Sequence, residues 1–264
     1  MRFPAQGKVP LGYPAAMKTA ALVIIGNEIL SGQTQDRNGP FLARRLGELG
    51  VRVAELRAVR DDEPAIVAAI NELRASCDYV LATGGIGPTH DDITAAAIAK
   101  AFGVAHAVHP KARALLAAKY GADLNAARLR MATVPTGAEL IDNPISTAPG
   151  FVIGNVYVFA GVPEIMQAMF ESARHRIAGG PPVRSRTVLA TATEGVFADQ
   201  LAAVQAQHRD VEIGSYPSFG RAKVETRIVM RSTDAARIDA AAAAVENMFR
   251  ALAVPAVSEP GSAP

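Results

Sequence analysis

The stretch LATGGIGPTHDDITAAAIAKAFG, Leu81 to Gly103, concentrates residue types that could do chemistry. Thr83 leads into Gly84, Gly85 and Gly87, and then Thr89, His90, Asp91 and Asp92 stand at the mouth of an alanine-rich helical pattern. Glycines without side chains let a ligand approach the backbone closely. The helix N-terminus that follows offers unpaired N–H groups and a positive dipole end, a ready anion site. The two acids have two explanations. Thr89 and Asp92 stand at capping-box spacing, so helix capping alone accounts for them. The alternative is that one acid faces the crevice, where bound phosphates would repel it unless Mg²⁺ or another hard cation intervened.

Other polar residues fall at equivalent places. Asp61 and Asp62 follow the run VRVAELRAV, and Glu28, Asp36 and Asn38 follow the run AALVII. If both runs are strands of one parallel sheet, their loops share the edge where open α/β sheets bind ligands. Competing chemistries fit less well. The GGIGPTH segment has His90 where a dinucleotide fingerprint needs its third glycine, and it follows the third strand rather than the first. No G-x-x-x-x-G-K-[ST] loop and no G-x-S-x-G elbow is present. His106, His109, His175 and His208 lack metal-ligand spacing and are expected to be structural or solvated.

The elements that must position these residues read as alternating strands and helices. Ala20 to Ile25 is an apolar run suited to a strand buried on both faces. Leu42, Leu46 and Leu49 mark a helix from Asn38, with Gly50 as its stop, and Val51 to Val59 form a second strand. Pro64 opens a helix with the stripe Ile66, Ile70, Leu73 and Cys77, and DYVLAT is the third strand, followed by a helix from near Asp92. Repeated units of this kind imply a mainly parallel, three-layer α/β/α domain. From Pro110 the pattern is helical. GFVIGNVYVFAG is a hairpin around Gly154-Asn155, and Val162 to Ile177 is a helix. After it, a β-α-β-β-α order implies a small α+β domain. The expected boundaries are an N-terminal extension 1–16, an α/β domain 17–178, a linker 179–186, an α+β domain 187–256 and a tail 257–264.

The 264 residues include a single cysteine, Cys77, which excludes an intrachain disulfide and a cysteine metal cluster and is expected to fill core. A formal charge of +2 with no long basic run gives no sign of a nucleic-acid partner. No apolar run approaches the ~20 residues of a membrane span, so a cytoplasmic protein is expected.

The TGGIGPTHDDIT segment closely resembles the signature of the molybdopterin-binding (MoaB/Mog-like) domain. IIGNEILSGQTQDRNGPFLARRLGELGVRV, VRDDEPAI, DNPISTAPGF and FAGVPEIMQAMF support the resemblance, in family order, over about residues 19 to 170. The GPTHDD string resembles the competence/damage-inducible protein A branch, and the same domain occurs attached to eukaryotic FAD synthases. The resemblance implies a pterin-phosphate or nucleotide pocket involving Gly84, Gly85, Gly87, Thr89, Asp91 and Asp92, with Asp61 as partner acid. It also implies roles for Glu28, Asp36, Asn38, Thr147, Gly150, Gly161 and Pro163. For this branch it implies hydrolysis of ADP-ribose- or FAD-like pyrophosphates with a divalent metal (Mg, Mn or Co) held by Asp61 and Asp92, which would be the catalytic pair. A binding-only module for molybdopterin or a nucleotide and a molybdopterin adenylyltransferase are the alternatives. Self-association is expected from the family, and a nicotinamide-mononucleotide deamidase domain is not expected within this sequence.

Overall fold

The computed structural model describes residues 17–219 and 224–259, so the expected extension 1–16 lies outside the described residues. The chain divides into two compact units, one of Lys18–Gly47 with Val51–Gly179, the other containing the described part of Gly180–Pro264. In chain order the first unit begins with β1 (Thr19–Ile25), α1 (Asn27–Leu30), α2 (Asn38–Glu48), β2 (Arg52–Val59), α3 (Glu63–Ser76), β3 (Tyr79–Thr83) and α4 (Thr94–Phe102). It continues with β4 (His106–Val108), α5 (Pro110–Tyr120), α6 (Ala126–Arg130), β5 (Thr133–Pro135), β6 (Glu139–Ile141), β7 (Gly150–Ile153), β8 (Val156–Phe159) and α7 (Pro163–Ala173).

The main sheet has the order β2-β1-β3-β8-β7-β6. The junctions among β2, β1, β3 and β8 are parallel, and those of β7 with β8 and β6 are antiparallel. Strand alternation divides the apolar run of β1 between two faces. Ala21, Val23 and Ile25 join Val80, Ala82, Val156 and Val158 in a core against Ile66 and Ile70 of α3 and Ala97 and Ile98 of α4. On the other face, Phe170 of α7 makes ring contacts with Phe159 of β8 and Phe41 of α2. The result is the expected α/β/α layering. The alternating half-exposed pattern of β2 follows from its place at the sheet edge. Cys77 caps the C-terminal end of α3, half-buried and reduced, packed against the core as expected.

Three differences from the sequence reading concern short elements. The segment after α4 contains β4, β5 and β6 as well as helices, because strands of three residues are too short to show a period. The helix expected near Asp92 starts at Thr94. A four-residue helix, α1, follows β1 where only a loop was expected.

The second unit comprises β9 (Arg184–Ala190), α8 (Ala198–Gln207), β10 (Glu212–Phe219), β11 (Val224–Ser232), α9 (Ala235–Ala251) and β12 (Ala256–Glu259). Its antiparallel sheet has the order β10-β11-β9-β12. Val188, Ile228 and Met230 pack against Ile238, Val245 and Phe249 of α9. Two expectations need correction here. Residues 184–186 belong to β9 rather than to a linker, and 257–259 belong to β12 rather than to a tail. Pairing of Val257 with Leu189 and of Glu259 with Thr187 holds that last segment to the sheet, a long-range bond pattern that local sequence does not display.

Candidate functional site

The loops after β1, β2 and β3 converge beyond the strand C-termini. Gly26 N–H, at the end of β1, donates to Val59 O at the end of β2 (3.1 Å), and Gly84 N–H donates to Phe159 O of β8 (3.1 Å). The glycine loop then folds against its own chain. Gly84 has φ +103° and lies so close to β1 that a Cβ would meet Ile25 O at 2.1 Å. Gly85 has φ +66°, and a Cβ there would meet Thr94 Oγ1 at 2.3 Å, while Thr94 N–H donates to Gly85 O (3.0 Å). These two glycines are therefore required by the fold itself. A bulky residue at Gly85 would disturb the start of α4 as well as any ligand approach.

Asp91 and Asp92 do not cap α4, whose N-cap residue Ile93 has no side-chain cap bond. Their carboxylates turn back into the loop. Asp92 Oδ2 accepts from Thr89 N–H (2.7 Å), and the single Thr89 hydroxyl proton is shared between Asp92 Oδ2 (2.6 Å) and Asp91 Oδ1 (2.5 Å). The Thr89 hydroxyl holds the Asp91 carboxyl below the usual carboxylate range, with smaller help from a backbone hydrogen bond and from His90. The guanidinium of Arg130 donates to Pro88 O from Nε (3.2 Å) and Nη2, securing the loop from α6.

The acids of the β2 loop divide their tasks. Asp62 caps α3 by accepting from Ala65 N–H (3.1 Å), whereas Asp61 Oδ2 accepts from Asn27 N–H (2.9 Å) at the start of α1. Asp36 is also occupied locally, accepting from the N–H groups of Asn38 (2.8 Å) and Gly39 (3.1 Å), the first residues of α2. Asn38 is buried and donates from Nδ2 to Gly161 O (2.8 Å), tying α2 to the loop before α7.

Together these loops border a cleft of ≈ 530 Å³. Of the residues singled out in the sequence, Glu28, Asp61, Gly84, Gly85, Gly87, Asp91, Asp92 and Gly161 line it. Thr89, Asp36 and Asn38 are not among the lining residues and instead orient carboxylates or backbone. Pro163 opens α7 beside the lining residues Val162 and Ile165, and Gly150 starts β7 packed under Val158 O and Met169. Thr147 adopts φ +69° in a loop organised by Asn143, whose amide bonds to Ser146 and to Ala148 O. It is Asn143, Ser146 and Ala148 that reach the cleft, not Thr147.

The far wall went unread in the sequence. Tyr120, Arg128 and Met131, from the α5–α6 segment, complete the lining. The Arg128 guanidinium lies 4.4 Å over the Tyr120 ring centroid, and its Nη1 donates to Asp123 O (2.5 Å). A tyrosine ending one helix and an arginine on the next carry no spacing signature, and only the fold brings them together.

Among the described residues no group of three His, Cys, Asp or Glu side chains could hold a metal ion. A closed, all-protein site therefore does not fit. Asp61 and Asp92 each have one carboxylate oxygen engaged by N–H, which leaves the other for a hydrated cation. That donor set fits a hard divalent ion held by one or two carboxylates and substrate phosphates.

Fold and site together define an open α/β ligand-binding domain with its crevice where strand order reverses. Residues 21–178 match the family described as a probable molybdopterin binding domain, and the chain belongs to that family. Residues 182–257 match the middle domain of FAD synthase. A protein of Archaeoglobus fulgidus is 34% identical over 77% of this chain and 88% of its own. A probable FAD synthase of Caenorhabditis elegans is 30% identical over 88% of this chain, which spans 50% of that relative's length. The crystal structure of the protein CinA, of unknown function, from Thermoplasma acidophilum is 36% identical, with TM-score 0.58, over 60% of this chain and 97% of that one. Among the described residues no helix is long and apolar enough to cross a membrane.

Proposed function

We propose that the cleft binds a nucleotide pyrophosphate of the ADP-ribose or FAD kind and, with a divalent metal, hydrolyses its phosphoanhydride bond. The observation that carries this reading is the convergence of Glu28, Asp61, Asp91 and Asp92, from the three connections after β1, β2 and β3, on a single cleft. Helix-start bonds occupy Asp62, Asp36 and one oxygen of Asp61, and Thr89 holds Asp91 and Asp92, yet Asp61, Asp91 and Asp92 also line the cleft, which Asp62 and Asp36 do not. So many carboxylates would repel a phosphate, and a cation brought with the substrate removes that repulsion. The volume suits a small-molecule ligand, since such sites span roughly 300–1,000 Å³. Relatives described as FAD synthase and a family described as molybdopterin binding are consistent with a nucleotide or pterin-phosphate ligand.

In this reading Asp61 and Asp92 would hold the cation that accompanies the pyrophosphate, each through the carboxylate oxygen not engaged by N–H. When bound, that ion neutralises the phosphate oxygens and polarises phosphorus. Thr89 fixes the orientation of Asp92, and Asn27 N–H fixes that of Asp61. Water adds to one phosphorus, the P–O–P bond breaks, and two phosphomonoesters leave: AMP and ribose 5-phosphate from ADP-ribose, AMP and FMN from FAD. The family match also supports a second reading, a binding-only molybdopterin or nucleotide module. Incubation of the purified protein with ADP-ribose or FAD and Mg²⁺, Mn²⁺ or Co²⁺, with chromatography of the products, separates the two. Metal-dependent appearance of AMP is expected. Tight binding without turnover would favour the second reading.

A further inference from the structure

The cleft is lined by Tyr120, Arg128 and Met131 as well as by the acids. We infer that the Arg128–Tyr120 pair is a stacking platform for the planar heteroaromatic ring of the ligand, and so a determinant of specificity. The inference rests on the reading of the cleft as a nucleotide site and extends it to the base.

Tyr120 ends α5 and packs, half-buried, on a small core formed by Ala112, Leu116 and Ala132. Its ring therefore has a fixed support. The Arg128 guanidinium sits 4.4 Å over that ring, held there by its bond to Asp123 O. One face of the guanidinium is covered by the tyrosine. Because Arg128 also borders the cleft, its remaining surface is what an occupant meets. A planar, delocalised cation with one of its five in-plane N–H donors engaged recognises flat rings by stacking, as arginine planes do with nucleobases. Met131 beside it adds a polarisable apolar contact of the kind that suits aromatic rings. A phosphate-binding role fits less well. The acids with their cation already supply charge for the phosphates, and the bond to Asp123 O fixes the guanidinium against the Tyr120 ring.

The test is a set of calorimetric titrations with Mg²⁺ present, on the wild type, Arg128→Ala and Arg128→Lys. The probes are ADP-ribose, which carries adenine, FMN, which carries isoalloxazine, and inorganic pyrophosphate, which carries no ring. Arg128→Ala should weaken at least one ring-bearing probe by roughly tenfold or more, the size of one lost base stack, and leave pyrophosphate unchanged. The ring-bearing probe that responds identifies the base. Arg128→Lys keeps the charge but not the plane and should lose as much as Arg128→Ala. Full affinity in Arg128→Lys, or an equal loss for pyrophosphate, would overturn the platform and leave a charge contact in its place. Failure of the wild type to bind either ring-bearing probe would overturn it too. Binding that depends on Arg128 without any turnover would leave the platform standing while removing the hydrolytic reading. Unchanged thermal melting of both variants shows that α5 and α6 remain folded.

Discussion

On one wall of the cleft, loops leave β1, β2 and β3, and Leu22, Val80 and Leu81 on the supporting strands are fully buried. On the other wall, Tyr120 and Arg128 rest on a satellite core whose fully buried members are Ala112, Leu116 and Ala132. The first wall fixes carboxylates through backbone N–H groups, as Asn27 does for Asp61 and Thr89 for Asp92. The second fixes a flat cation through one ring contact and one carbonyl. Reacting groups must be held to within roughly 0.5 Å, which for acids on loops depends on supporting hydrogen bonds such as those from Asn27 and Thr89. A ring-stacking surface tolerates looser support. Under the proposed function, bond-breaking would fall to the sheet side and ring recognition to the helical side.

The largest expected effect lies on the sheet side. Gly84→Ala places a side chain at φ +103° and against Ile25 O, so it should lower unfolding free energy by about 3 kcal/mol or more. Urea denaturation measures this, and a loss under about 1 kcal/mol would mean that the loop yields more easily than its contacts suggest. On the helical side, Leu116→Ala empties a buried site of a smaller core and should cost about 2–3 kcal/mol. Its sharper signature is local: hydrogen exchange should speed up along α5 and stay unchanged in β1 and β3. Uniform acceleration through the sheet would remove the distinction between the walls. The smallest effect concerns Asp91. Thr89→Val deletes the hydroxyl that lowers its carboxyl, so its titration should move up toward the ordinary carboxylate range. With threonine present, Asp91 keeps its charge, and the hydrogen bond that charge supports, as pH falls through the ordinary range and loses them only at its lower value. A carboxyl-carbon NMR titration reads the shift, and an unmoved value would show that the hydroxyl is not its cause.

How far the sequence revealed each wall follows from what kind of signal each carries. The strands and the loop acids were legible because burial on both faces leaves a continuous apolar run and because turn glycines and acids sit at strand ends. The roles within a pair were not legible. Asp61 and Asp62 are adjacent and alike, yet one faces the cleft and the other caps α3, a choice made by backbone direction after β2. Thr89 and Asp92 have capping-box spacing but bond to each other ahead of a helix that begins at Thr94. Thr147 was singled out by its segment, whereas its neighbours Ser146 and Ala148 reach the cleft and Thr147 itself takes a left-handed conformation. Arg128 and Tyr120 belong to different helices, and β4, β5 and β6 are three-residue strands, with β4 paired to β5 across α5 and α6 and β6 paired to β7. Nothing in a local window marks such contacts.

The central claim, that carboxylates from separate loops act together on a metal-bound pyrophosphate, is tested most directly by turnover of ADP-ribose with Mg²⁺ in the wild type, Asp61→Asn, Asp92→Asn and the double variant. Asparagine keeps the oxygen that accepts from Asn27 or Thr89 N–H, so the loops should hold their shape. The account predicts AMP release by the wild type and a fall of at least ~100-fold in each single variant, about 2.7 kcal/mol of transition-state stabilisation. The double variant should be little worse than either single one, as expected of groups that act as a unit. Equal turnover in all four proteins, or no metal-dependent turnover in the wild type, would contradict it.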